Sequence, residues 1–401
     1  MWAAFKFRDF RLLWFGLLIS NFGTWMQITA AGYLVVTLAP TTALGPFYLG
    51  LLGLSSAVPV IVLSPVAGFV ADRFPRRRVL FITNGAIVVQ AFAFAALTGT
   101  HHITMAAIMG LQFFGAAARA FDAPARQSWV PVLVDREYVG NAIGLNSIAF
   151  NAPSFIGPAI AGYLIVTVDI AGSFYINAVT TVAVIVALVF MKESPPSDTL
   201  REPFFQSIAR GLQFLFSHPA LAPIILVLLA EAILVRPVLQ LLPAYTLHVV
   251  HSNAQGLGLL MAGSGLGSLG GALITAAFGT LQRRAYLWIV SAIVMAFGAI
   301  GLGFTVHMLS AFLILFVTGL ATLTWLGSSN ILIQTIAPDE MRGRAISVYS
   351  MILIGMVPAG SLLLGSMGSL FGIGTAFIAG GSLAAVICAA TFALSPAVRK
   401  V

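Results

Sequence analysis

Twelve apolar runs recur along the chain, each close to or above the roughly 20 residues that an α-helix needs to cross the hydrocarbon core of a bilayer. A closed transmembrane barrel would instead show alternating segments of about 10 residues, and no such series occurs. With 59% hydrophobic and 8% charged residues, the chain carries more apolar surface than one soluble core could hide. The expected fold class is therefore an all-α membrane protein with twelve transmembrane helices. Spans 1 to 6 fall near 12–38, 47–71, 79–97, 103–121, 142–168 and 170–191. Spans 7 to 12 fall near 221–247, 257–281, 286–306, 311–332, 346–370 and 375–394.

Charge sets the orientation. A net charge of +8 on a soluble protein would point to nucleic acid, but its distribution here follows topology instead. Of the 20 Lys and Arg, only Arg119 and Arg236 fall inside spans; the rest lie in turns and tails on one side. Short loops rich in Lys and Arg stay cytoplasmic, so both termini are expected inside, in a cell (inner) membrane, with no nucleic-acid partner. The one cysteine, Cys388, lies in the last span and allows no intramolecular disulfide. The first apolar run is too long for a cleavable signal peptide and lacks a small-residue cleavage site.

The chain reads as two halves. KESPPSDTLREP, residues 192–203, is charged and Pro-rich, a hinge unable to bury itself. The following FFQSIARGLQFLFSHP places Phe204, Phe205, Ile208, Leu212 and Leu215 at helical spacing, too short to span and suited to the inner membrane surface. Domains are thus expected at 1–191, a linker with an interfacial helix at 192–217, and 218–401. An internal repeat at an offset of 207 supports the division: Gln127 and Pro131 map onto Gln334 and Pro338, and Arg76-Arg77 onto Arg283-Arg284. The second copy has Thr275 in place of Gly68 and Gly279 in place of Asp72.

Between spans 2 and 3 runs GFVADRFPRRR, with four arginines and one aspartate between positions 72 and 78. A positive-inside turn explains the arginines but not Gly68 and Asp72 at that spacing. The stretch resembles the motif between helices 2 and 3 of the major facilitator superfamily, matching at Gly68, Asp72, Arg73, Arg76 and Arg77, with Pro75 in place of the usual second Gly. That resemblance implies two pseudo-symmetric six-helix bundles that rock around a central site. The turn after span 4, RAFDAPARQ, is similar to the third family of drug:proton antiporters, the branch of the enterobactin exporter and related secretion effectors. The likeness continues through 141–162 and 236–245. Two departures bear on coupling: Ser154 stands where such sequences often have Arg, and Gln240 where many have Glu. Span 4 also lacks the mid-membrane Arg motif of other drug:proton antiporters.

Ionisable groups inside a membrane are costly, so each is a functional candidate. Glu231 and Arg236 in span 7, and Asp122, are the candidates for proton coupling. Five residues apart on a straight helix, Glu231 and Arg236 lie about 140° round from each other. They need distortion at Pro237, or separate partners. Arg119, Asp122 and Arg126 are expected to form a conformational latch with Gly68, Asp72, Arg73, Arg76 and Arg77. The superfamily resemblance assigns spans 1, 4, 7 and 10 to the central cavity. There Asn21, Trp25, Gln27, Gln112, Gln240, Trp325 and Asn330 suit a largely apolar substrate with a few hydrogen-bonding groups. Gly157, Pro158 and Gly162 in span 5 and Gly263, Gly267 and Gly271 in span 8 are candidate helix-packing residues, static or mobile. By the resemblance, spans 2, 5, 8 and 11 would form the moving interface.

No Walker loop, metal-spaced His/Cys cluster or nucleophile elbow occurs, so neither enzyme activity, cofactor nor metal is expected. The leading expectation is a monomeric secondary transporter that exports a small amphipathic molecule, drug, siderophore or other metabolite, by alternating access and proton antiport. The alternatives are a lipid flippase, an uncoupled facilitator, or a non-transporting scaffold or sensor.

Overall fold

The computed structural model describes residues 2–193, 204–277 and 284–399. The hinge beyond Glu193, Gly279 and Arg283 of the repeat, and Lys400 lie outside them. Two compact units divide the chain: Met1–Leu38 with Ser55–Leu200, and Ala39–Leu54 with Arg201–Val401. The division differs from the expected one at residues 39–54, which open the second long helix and group with the second unit.

The helices are α1 (Arg8–Leu38), α2 (Gly45–Arg73), α3 (Arg76–Gly99), α4 (Met105–Trp129), α5 (Val139–Thr167), α6 (Ile170–Phe190), α7 (Phe204–Ser217), α8 (Leu221–Leu234), α9 (Val238–His248), α10 (Ala254–Ala277), α11 (Arg284–Phe304), α12 (Met308–Ile336), α13 (Asp339–Phe371) and α14 (Ile373–Leu394). No strand occurs among the described residues. Among the described residues, ten candidate spans are long and apolar enough to cross a membrane. Helices α1 and α4 have the length but carry ionised groups near one end, Arg8, Asp9 and Arg11 in the first, Arg119, Asp122 and Arg126 in the second. Large apolar side chains stand exposed along the helices, among them Ile82 at 70% and Leu273 at 72%, as a lipid-facing surface requires.

In the first unit α1 packs on α5 and α6, and α3 on α4 and α6. Small residues allow the approach: a Cβ at Gly157 of α5 would stand 2.8 Å from the Trp25 Cβ of α1. Pro158, one residue on, is buried within the same helix, as is Gly162.

In the second unit α12 packs on both α10 and α11, and α14 packs on α11. Here the glycines of span 8 find their place. A Cβ at Gly263 would stand 2.8 Å from the Phe312 ring, while one at Gly267 would overlap the Phe316 carbonyl oxygen and one at Gly271 that of Leu320. Gly319 of α12 answers from the other side, against the Ser264 carbonyl. Hydroxyls tie the same crossing: Ser268 Oγ donates to Gly319 O at 3.2 Å and Thr324 Oγ1 to Gly271 O at 3.3 Å. Gly263, Gly267 and Gly271 therefore pack at a crossing inside one unit.

Two further differences are local. Helix α7 packs against α13 and α8, with Gly211 and Leu215 buried; a Cβ at Gly211 would meet Val348 Cγ2 at 3.0 Å and the Arg344 carbonyl at 3.1 Å. The face that was expected to lie on the membrane thus docks at least partly on α13. Span 7 is two helices, not one. Pro237 has no N–H for the Ile233 carbonyl, and the Glu231 carbonyl accepts instead from both Val235 N at 3.1 Å and Arg236 N at 2.8 Å. The carbonyls left over at the break are covered by glycine: a Cβ at Gly360 of α13 would overlap Ile233 O, and one at Gly380 of α14 would stand 2.7 Å from Leu234 O.

Candidate transport site

The broken helix concentrates the ionisable chemistry of the second unit. Glu231, in the last turn of α8, is fully buried. Its Oε1 accepts from the Cys388 thiol of α14 at 3.5 Å, and its Oε2 has no hydrogen-bond partner. Among the described residues no ion pair joins it to Arg236, although each charge acts on the other, and Arg236 Nε is also buried without a partner. The unwound turn thus supplies the separation that a straight helix predicted, without bringing the charges together. Cys388 was read only for disulfides, and its position opposite Glu231 depends on the packing of α14.

The charged residues at the α3–α4 end knit the first unit. Asp122 Oδ1 accepts from Asn84 Nδ2 at 2.8 Å, and Oδ2 pairs with Arg126 Nε at 3.3 Å. The Arg126 guanidinium lies 3.8 Å from the centre of the Phe150 ring on α5. Asp122 is therefore paired with Arg126. Arg119, half-buried, still feels the Asp122 charge.

The three arginines of the motif fan out to different elements. Arg76 Nε donates to Ser128 Oγ of α4 at 3.1 Å. Arg77 donates to the last carbonyls of α6, Leu188 O at 2.6 Å and Val189 O at 2.9 Å, where the helix macrodipole favours a cation. Arg78 pairs with Glu193 at 2.8 Å. Arg73 lies over the Phe69 ring at 5.6 Å, and Asp72 is close enough for its charge to act on Arg76. A Cβ at Gly68 would meet nothing within 4 Å, so no close approach requires this glycine here. These contacts hold α3, α4 and α6 together within the unit. Arg77→Gln is accordingly expected to cost about 1 kcal/mol of stability while leaving the transport rate per folded molecule unchanged. A thermal melt read beside an uptake assay checks both, and a slowed rate at unchanged stability would support the latch role instead.

The expected cavity residues divide. Gln27, 4% exposed, is consumed by a buried chain: Asn177 Nδ2 of α6 donates to Gln27 Oε1 at 2.7 Å, and Gln27 Nε2 donates to Gln90 Oε1 of α3 at 3.2 Å. Thr181 joins through Asn177 O at 2.8 Å. This network ties α1, α3 and α6, so Gln27 is a core residue. Trp325 is fully buried with its indole N–H unpartnered. Gln112 donates to Ser56 at 2.7 Å and Asn21 to the Ala149 carbonyl at 3.0 Å. Gln240 accepts from Ser361, Asn330 accepts from Gln334, and Trp25 packs beside Gly157. Asn177 and Gln90 were missed; both are amides in mid-span, and polarity alone could have flagged them.

The family profile described as "Transmembrane secretion effector" matches residues 1–400. The chain belongs to this family. Curated relatives of this secretion effector agree. The uncharacterised MFS-type transporter YfiS of Bacillus subtilis is 29% identical over 396 residues, covering 92% of this chain and 87% of the relative. An enterobactin exporter, EntS, of Escherichia coli is 27% identical, covering 92% and 85%. The staphyloferrin A transporter of Staphylococcus aureus is 25% identical, covering 88% and 87%. Among solved structures, a D-xylose-proton symporter superposes with a TM-score of 0.76 at 15% identity over 99% of both chains, which establishes the fold. A bacterial homologue of the lysosomal transporter Spinster gives 0.73 at 15% identity, covering 98% and 96%. The effector is thus a multi-pass inner-membrane transporter of the major facilitator type, not an enzyme, and its partner is a small-molecule substrate.

Proposed function

We propose that this secretion effector exports a small amphipathic molecule by alternating access through twelve membrane helices with both termini cytoplasmic, and that it does so as a proton antiporter. The observation that carries the coupling is Glu231. It is a carboxyl group fully buried in a broken membrane helix, with one oxygen on a thiol and the other unpartnered. Such a group, next to a cation it does not pair with, can gain and lose a proton as its surroundings alternate between the two sides. Export as the direction is supported by relatives that carry the names enterobactin exporter and staphyloferrin A transporter. The monomer, embedded in lipid, is the transporting unit in this reading. Asp122, held by Asn84 and Arg126, is the less suited acid because both its oxygens are engaged.

Everted membrane vesicles from an expressing strain test the reading. An amphipathic substrate, sought among cations and siderophores, should accumulate when the lumen is acidified, and dissipating the pH gradient should abolish the accumulation. Equal uptake with and without the gradient would replace antiport by facilitated diffusion.

A further inference from the structure

A recess opens inside the second unit beside the helix break. Its walls come from four helices and the break itself. Arg236 contributes from the break, Leu239 from α9, Ser264 from α10, Met295 from α11, and Thr318 and Thr322 from α12. Most of this lining is apolar, yet its one charged member is a guanidinium, and no carboxylate lines it.

Three facts about Arg236 ask for an anion. Its Nε is buried and has no hydrogen-bond partner. The nearest acid in sequence, Glu231, turns to Cys388 and forms no ion pair with it. Helix α9 begins at Val238, and Val238 and Leu239 both line the recess, so the positive end of an eleven-residue helix lies at the same place. A cation in apolar surroundings is retained at a cost of several kcal/mol unless something completes it. Arg, with its planar fork of donors, is suited to a carboxylate. Hydroxyls at Ser264, Thr318 and Thr322 add groups able to donate to the same oxygens.

We propose that this recess is an acid-binding subsite that takes a carboxylate of the exported molecule on Arg236, with the carbon skeleton against Leu239 and Met295. The substrate class is then an amphipathic carboxylic acid rather than a cationic drug. This rests on the export reading above, but it concerns the bound group, not the driving force. One acidic arm enters the recess, and the remainder of a larger substrate extends beyond it.

The test is binding by the whole purified protein in nanodiscs of phosphatidylcholine, read as a thermal shift and by microscale thermophoresis. The probes are citrate and its neutral trimethyl ester. Citrate should raise the melting temperature and saturate; the ester should do neither. Arg236→Gln should weaken citrate binding by about 10- to 100-fold, the loss of a charge-assisted contact, and Arg236→Lys should keep part of it. Thr322→Phe, which fills the recess and spares the cation, should also abolish binding, so the claim does not depend on Arg236→Gln folding. Glu231→Gln should leave citrate affinity within twofold or strengthen it. Equal shifts from citrate and ester, or equal citrate affinity in wild type and Thr322→Phe, would overturn the subsite. Loss of citrate binding when phosphatidylglycerol replaces phosphatidylcholine would assign it to a lipid headgroup and overturn the substrate claim. Vesicle accumulation reads export separately: citrate binding without accumulation leaves the subsite standing, and accumulation without citrate binding leaves export standing.

Discussion

Gly267→Ala is expected to melt well below wild type, at or beyond the upper end of the roughly 1–3 kcal/mol that overpacked cores lose. The added methyl would overlap the Phe316 carbonyl oxygen and approach the Leu320 amide nitrogen at 2.8 Å, and both are backbone atoms of α12 that cannot rotate away. Gly319→Ala should behave alike, because its Cβ would overlap the Ser264 carbonyl from the opposite side. Inside lipid, close packing of small residues is a main source of helix association, so losing this crossing has no hydrophobic term to offset it. Gly68→Ala supplies the contrast, since its methyl meets nothing within 4 Å and should leave the melting temperature unchanged. Thermal unfolding of the purified proteins, with transport normalised to folded protein, separates two outcomes. Lower stability with an unchanged rate per folded molecule fits the α10–α12 crossing. Unchanged stability with a slowed rate would mean that the ridge of α10 works as a moving surface after all.

Sequence periodicity reached the helices but not their neighbours. Apolar length placed the long helices, because backbone groups inside a bilayer must be satisfied within the segment. It could not say which helix Gly263, Gly267 and Gly271 face, since any smooth glycine face serves a static or a mobile contact equally well. Pro237 marked a distortion in span 7, and the break there follows from its missing N–H. What could not be read was how Ile233 and Leu234 shelter their freed carbonyls, because Gly360 and Gly380 lie more than a hundred positions away. The polar residues divide in the same way. Gln27 was assigned to a cavity because span 1 lines one in the family resemblance, yet its amide is used by Asn177 and Gln90. A polar side chain within a membrane must find a partner, and whether that partner is substrate or another helix is a fact of packing. The motif of Arg76, Arg77 and Arg78 was legible as charge, while its targets on α4, at the end of α6 and at Glu193 emerged only from the fold.

Glu231→Gln is expected to abolish gradient-driven accumulation while changing the melting temperature little. Gln has the shape and charge of a protonated Glu, so a residue that cycles a proton is locked by it in one of its two states. It retains an oxygen to accept from the Cys388 thiol, the one hydrogen bond that Glu231 side-chain oxygens make in this structure. Downhill exchange and substrate binding should survive, because neither requires a proton to cross. A carboxylate that stays ionised throughout the cycle predicts something else. Its Oε2 would be a charge buried without a partner, at a cost of several kcal/mol, so the same substitution would raise the melting temperature and spare coupling. Rescue by a second substitution at Arg236 is not expected, since the two side chains form no ion pair. Effects of Glu231→Gln and Arg236→Gln on stability should nevertheless depart from additivity, because the two charges act on each other without an ion pair. A well-folded Glu231→Gln protein with normal coupled export would remove Glu231 from the mechanism and leave Asp122 as the acid to test next.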